Sequence, residues 1–229
     1  MRTVCGRFVA ATAPEGIVEF FLIDARQTED LPPSWNVAPT NTVYAVAMHE
    51  RRRVLVSFSW GLVPFWAKDR KVAARHINAR AETVASKPTF AESFQRRRCI
   101  IPADGFYEWQ RHADGARTPY FVHRVDSTPM AFAGLWASWR DPTDNARLRS
   151  CAIVTTQASG GIAALHERMP VVLEPTSFQD WLDPDADPAC LRHLLASADP
   201  ETLTWRRVGT EVNSVRNNHP GLVAPAHST

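Results

Sequence analysis

Apolar and polar residues alternate along most of this chain with the period of two that belongs to half-buried strands. Residues 42–48 and 54–60 read as two such strands, and the polar turn before Arg51-Arg52-Arg53 makes them a hairpin. Residues 99–109, 118–124, 130–139, 148–156, 169–173 and 203–208 read as further strands, with a turn at Ala113-Asp114-Gly115-Ala116. Helical spacing is rarer. It occurs over residues 14–22, where Ile17, Val18, Phe20 and Phe21 share a face, and over 177–182 and 188–197. Residues 89–98 predict a helix with Thr89 as N-cap, Glu92 at the capping-box position and Arg96-Arg97-Arg98 in a solvated last turn. Pro32, Pro33 and Pro39 bias residues 31–40 away from helix and predict an extended loop. Gly61 to Trp66 is an aromatic loop, and Asn213 to Asn218 a polar one. No repeat, low-complexity linker or composition break divides the chain. The pattern predicts the α+β class: a single β-rich domain over 1–229 with curved, mainly antiparallel, barrel-like sheets and a few peripheral helices.

Composition narrows the partners. With 45% hydrophobic and 22% charged residues the chain has ordinary globular make-up. A net charge of +2 implies no extreme polyanion-binding surface and leaves room for a local basic groove. No apolar run approaches the ~20 residues of a membrane span, and the N-terminus lacks a signal-peptide core, so a cytoplasmic, membrane-free protein is expected. Cys5, Cys99, Cys151 and Cys190 are scattered without a CxxC pair. That spacing argues against a zinc site or disulfide scaffold, and neither metal nor cofactor is expected. Eight Trp residues are a high load, suited to core packing or to stacking on bases.

The candidate chemistry begins at Cys5-Gly6-Arg7-Phe8. A cysteine at a chain's N-terminus offers a thiol and an amine two carbons apart, with reference pKa values of about 8.5 and about 7.7–8.0. Such an aminothiol condenses with an aldehyde to a five-membered thiazolidine, which an internal cysteine cannot do. Glu108, flanked by Phe106, Tyr107 and Trp109, is a candidate for a raised pKa and proton transfer. Each residue also has a plain reading. Cys5 suits a buried small hydrophobe, Glu108 an outward strand position, and His166 a structural histidine. Arg7, Arg80 and Arg168 suit either phosphate contacts or surface charges, and Trp66 either core or a stacking platform.

Seven blocks in order, CGRF, WNVAPT, WGLVPFW, INARAET, IIPADGFYEW, LHERMP and VNSVRNN, cover Cys5 to about Asn217. In this the chain resembles the SRAP family, the SOS-response-associated peptidases or abasic-site-processing proteins. The resemblance implies recognition of abasic sites in single-stranded DNA and at primer–template junctions, with a thiazolidine crosslink that shields the lesion. It matches Cys5 to the crosslinking cysteine, Asn78 to the asparagine holding the linkage, Glu108 to the acid/base carboxylate and His166 to the active-site histidine. It matches Arg7, Arg80 and Arg168 to DNA-backbone contacts and Asn36 and Pro39 to a motif lining the site. Trp66 corresponds to the aromatic wedge, and Thr155 to a phosphate neighbour. A monomer, associated with the nucleoid when bound to DNA, is expected.

The chain departs from the family at its start, because Met1-Arg2-Thr3-Val4 precede Cys5. Family members typically begin Met-Cys-Gly-Arg. Either Val4 corresponds to a GTG start codon, the favoured explanation, or the chain cleaves itself before Cys5. Two other readings stand beside the abasic-site reading: a cysteine peptidase acting on proteins, and a non-covalent single-strand-binding module with a structural Cys5.

Overall fold

A computed structural model describes residues 5–226. The four residues before Cys5, whose absence from the functional chain the sequence leads one to expect, lie outside the described residues. The chain begins with β1 (Phe8–Ala10) and α1 (Pro14–Phe20), which has Pro at its start, where a missing N–H costs nothing. The helix stops short of Leu22, which takes a left-handed φ of 51°. Then come β2 (Ala25–Arg26), β3 (Ser34–Val37), β4 (Thr42–His49), β5 (Arg52–Trp60) and β6 (Asn78–Arg80). After α2 (Ala91–Arg96) follow β7 (Arg98–Ala103), β8 (Gly105–Arg111), β9 (Arg117–Arg124), β10 (Met130–Arg140) and β11 (Arg147–Gln157). The chain finishes with β12 (Arg168–Pro170), β13 (Val172–Leu173), α3 (Phe178–Leu182) and β14 (Leu203–Arg207).

Strands β11, β10, β7, β4 and β5 are hydrogen-bonded in that order, and β5 pairs back onto β11 in parallel through Ser59↔Ser150 and Trp60↔Cys151. A five-stranded barrel closes, which removes the free edges an open sheet would present. Strand β6 lies parallel along β11. A second, wholly antiparallel sheet has the order β14-β9-β8-β1-β3. The α+β expectation of curved, mainly antiparallel sheets is met. Period-two alternation divides the barrel wall. Val43, Val56, Ile101, Phe132 and Ile153 pack with Phe8, Phe106 and Val122 of the second sheet. The intervening set, including Val46, Leu55, Ile100, Ala133 and Val154, packs with Phe21, Phe94, Phe178 and Trp181 of the helices. Among the described residues no helix is long and apolar enough to cross a membrane.

Five local expectations change. The strand expected over 99–109 is two strands in different sheets, joined through Asp104. A Cβ on Gly105 would stand 2.4 Å from Val122 O, so only glycine permits this crossing. Asp104 secures it by accepting from Ala11 N at 2.5 Å and Thr12 N at 3.1 Å. Thr89 does not cap α2: the helix starts one residue later, with the buried Phe90 at the N-cap and no side-chain bond there. Arg98 is not solvated but 4% exposed, donating to Trp181 O at 2.8 Å, Phe94 O at 2.6 Å and Gln95 O at 2.7 Å, and to Asp183 O. The loop at 31–40 contains β3, and the helix at 188–197 shrinks to one 3₁₀ turn, Arg192–Leu195, because few of its residues find a core to bury against.

Candidate active site

Strand β1 runs antiparallel to β8 with Phe8 opposite Phe106, and Tyr107 N donates to Arg7 O at 3.0 Å. Extending that ladder brings residues 5 and 6 alongside 108 and 109. There the Cys5 backbone N donates to Glu108 Oε1 at 2.7 Å. Cys5 is fully buried and Glu108 is 3% exposed. Cys5 also holds a φ of 38°, a region few side-chain-bearing residues occupy, so packing over-determines its place. Burial pushes the Glu108 carboxyl up to about 8, against the pull of the Cys5 and Trp109 N–H groups. Near neutrality it is mostly protonated and serves as an acid. Burial, with Glu108 adding to it, also pushes the Cys5 thiol well above its usual range, so this sulfur rests as a thiol.

Glu108 lines a cleft of about 550 Å³ together with Gly6, Arg7, Pro39, Trp109 and Arg117, among others, and Cys5 is buried directly behind it. One wall is the polar loop after β14. Arg7 donates to Asn36 Oδ1 at 2.8 Å and to Val212 O at 3.0 Å. Asn36 Nδ2 donates to Ser214 O at 3.0 Å and Asn217 O at 2.9 Å, and Trp109 Nε1 to Asn213 Oδ1 at 2.7 Å. Asn36 is thus buried as the tie that fixes this wall, while Pro39 and Arg7 line the cleft itself. Trp109, Asn213 and Arg117 are cleft residues that sequence reasoning did not single out as site residues. The FYEW block carried a signal for Trp109; nothing local marked Arg117.

The remaining predicted residues gather on the neighbouring barrel strands. Asn78 and Arg80 of β6 stand opposite Ile153 and Thr155 of β11, and Arg168 of β12 stands opposite Gln157. Arg168 Nη2 donates to Thr155 O at 2.6 Å and to Glu82 Oε2 at 3.0 Å in a two-pronged pair with that carboxylate. The pair holds the Glu82 carboxyl below its usual range. Glu82, inside the INARAET block, is a further residue that sequence reasoning did not name as part of the site. His166 Nδ1 lies 3.0 Å from the Arg168 backbone N and 3.2 Å from the Arg168 carbonyl oxygen, which ties the ring to the start of β12. Gln110 Nε2 donates to Ala164 O at 3.4 Å, which leans the His166 segment on β8 two residues past Glu108. Trp60 Nε1 donates to Ile77 O at 3.0 Å while its ring meets Phe8 edge-on at 5.0 Å, tying the approach to Asn78 to the start of β1. Cys5, Ile77, Leu165 and Met169, neighbours of all these groups, share one core cluster. Arg80 is exposed, and Trp66 stands outside the cleft, 52% exposed beside an equally bare Phe65.

The fold is that of a crystal structure from Bacteroides thetaiotaomicron, with a TM-score of 0.86 at 23% identity over 97% of this chain and 100% of that one. In sequence the chain is 39% identical over 222 residues to the abasic site processing protein YoqW of Bacillus subtilis (strain 168), covering 96% of this chain and 99% of that protein. It is 28% identical to the abasic site processing protein YedK of Escherichia coli (strain K12), covering 97% and 100%. The sequence pattern described as SOS response associated peptidase (SRAP) matches residues 4–215. By that match over most of its length and by its identity to YoqW, the chain belongs to the SRAP family.

Proposed function

We propose that this protein processes abasic sites in DNA, and that Cys5, as the N-terminal residue of the functional chain, captures the ring-opened sugar as a thiazolidine. The relatives' names support the substrate class. The observation that carries the chemistry is the 2.7 Å contact between the Cys5 nitrogen and Glu108, a buried carboxyl poised to be an acid. In the proposed sequence the Cys5 amine adds to the sugar aldehyde. Glu108 gives its proton to the departing hydroxyl, releasing water and leaving an iminium ion. The Cys5 sulfur then adds to the iminium carbon, and the thiol proton returns to the Glu108 carboxylate. Aldehyde and aminothiol thus become thiazolidine and one water. Opening the closed sugar falls to His166, whose imidazole can give and take a proton near neutral pH. Asn78 holds the linkage, Thr155 lies by a phosphate, and Arg7, Arg80 and Arg168 bind the backbone.

The same contact favours self-maturation. A protonated Glu108 at the Cys5 nitrogen is the acid that a leaving amine needs if the bond before Cys5 is cut. The substrate we propose is a single strand or a primer–template junction. With no base at the lesion, backbone, shape and aldehyde must supply selectivity, and Trp66 stacks on a flanking base.

The test is a time course with an oligonucleotide bearing one abasic site, resolved on a denaturing gel, beside the intact mass of natively expressed protein. A heat-stable crosslink, its loss in Cys5→Ser with single-strand binding kept, and a mass beginning at Cys5 are expected. A full-strength crosslink in Cys5→Ser, or in protein that retains residues before Cys5, refutes the thiazolidine.

A further inference from the structure

We infer a second anion-binding groove beside the cleft, built by Arg117 and Arg207, that holds phosphates of the DNA strand flanking the lesion. It rests on the abasic-site reading and extends it. Arg117 lines both the Glu108 cleft and an adjoining groove of about 510 Å³, so the two open onto one another at this side chain. The second groove is floored by Thr118, Pro119, Val208 and Gly209, with Arg207 at its side. Its position follows from the sheet: Arg117 begins β9, and Arg207 ends the neighbouring β14 opposite Tyr120.

Charge is what makes this groove unusual. Arg111 of β8 stands directly opposite Arg117, so two cations share one face of the sheet. Like charges directly opposite are destabilising. Other arginines of this protein, such as Arg26, Arg51, Arg97, Arg124 and Arg168, are paired with carboxylates. Among the described residues Arg111, Arg117 and Arg207 make no such pair. The acidic groups close by are Glu211, which lines the groove, and Asp114, whose Oδ1 is turned inward to accept from Ala116 N at 2.9 Å. Arg117 and Arg207 in the grooves, with Arg111 beside Arg117, outnumber the carboxylates of Glu211 and Asp114 and leave a net positive charge next to the Glu108 cleft. A strand anchored by its abasic sugar at Cys5 would lay its next phosphates along these arginines. Such contacts give affinity and direction without reading bases.

The test measures salt-dependent binding of a Cys5→Ser protein, which holds DNA without the covalent bond, to abasic oligonucleotides of two lengths. One reaches only the cleft; the other extends by several nucleotides on either side. Arg117→Gln and Arg207→Gln are each expected to flatten the salt dependence on the long strand by one contact, about 2.6-fold less change in Kd between 50 and 200 mM salt. Arg207→Gln is expected to leave binding of the short strand unchanged. Arg111→Gln is expected to raise the melting temperature of the free protein and to shrink the stabilisation that added DNA provides. Salt slopes equal to the parent's on the long strand, in a protein whose Cys5 form does crosslink, overturn the groove alone. Failure of the Cys5 form to bind or crosslink at all overturns the abasic-site reading and the groove with it.

Discussion

Glu108→Gln should make this protein more stable at alkaline pH while slowing its chemistry. Glu108 is buried, and its carboxyl is raised from an ordinary 4.5 to about 8. Between those values the native state keeps a proton that the unfolded chain has released, so stability falls as pH rises through that window and levels off above it. At about 1.4 kcal/mol per pH unit, the full window amounts to on the order of 5 kcal/mol. In a chain of this size that is a melting temperature on the order of 10 °C lower at pH 9 than at pH 5 from this group alone. Gln keeps the Oε1 acceptor for the Cys5 N–H and cannot ionise. Melting curves of both proteins from pH 5 to pH 9 should therefore nearly coincide at the acid end and separate toward the alkaline end, with the variant higher. The same substitution should slow crosslinking by about 10²–10⁴-fold, the usual worth of a general acid. A free amine at Cys5 alters the expectation in a defined way. Its ammonium would favour the carboxylate, pull Glu108 down and flatten the slope, so protein that begins at Cys5 should lose less stability on alkalinisation than protein that retains residues before it. Parallel melting profiles for the parent and Glu108→Gln across this range would refute the buried-acid argument.

Two further outcomes are expected. Arg98→Met should lower stability by about 3 kcal/mol or more, read as a reduced urea midpoint, because it strands the carbonyls of Phe94, Gln95, Trp181 and Asp183; DNA affinity should not change in the folded fraction. Trp66→Ala should weaken binding to a primer–template junction by about 1–3 kcal/mol in a fluorescence titration, with an unchanged melting temperature, because the ring is 52% exposed and supports little of the core.

The sequence by itself determined the class of the fold and most of its strands, because half-buried strands write their burial into a period of two. It also singled out Cys5 and Glu108, one by its place in a short block and the other by the aromatic residues around it. Their contact, 103 residues apart along the chain, belongs to the register of β1 on β8, which no local pattern encodes. The same holds for the break at Gly105. A continuous run of strand-forming residues gives no sign that it leaves one sheet for another; the demand for a missing Cβ comes from Val122 and Phe121, which the fold brings against it. Arg98 reads locally as the end of a solvated helix, yet it is buried because four carbonyls from α2 and the end of α3 converge on it. Arg168 reads as a free cation until Glu82, 86 residues away, is found to pair with it. Local sequence thus settles which residues prefer strand, turn or interior. Which charges are paired, which acid is desolvated and which arginines remain open to a ligand depend on distances between segments remote in the chain, and those exist only once the barrel has closed and the second sheet has packed against it.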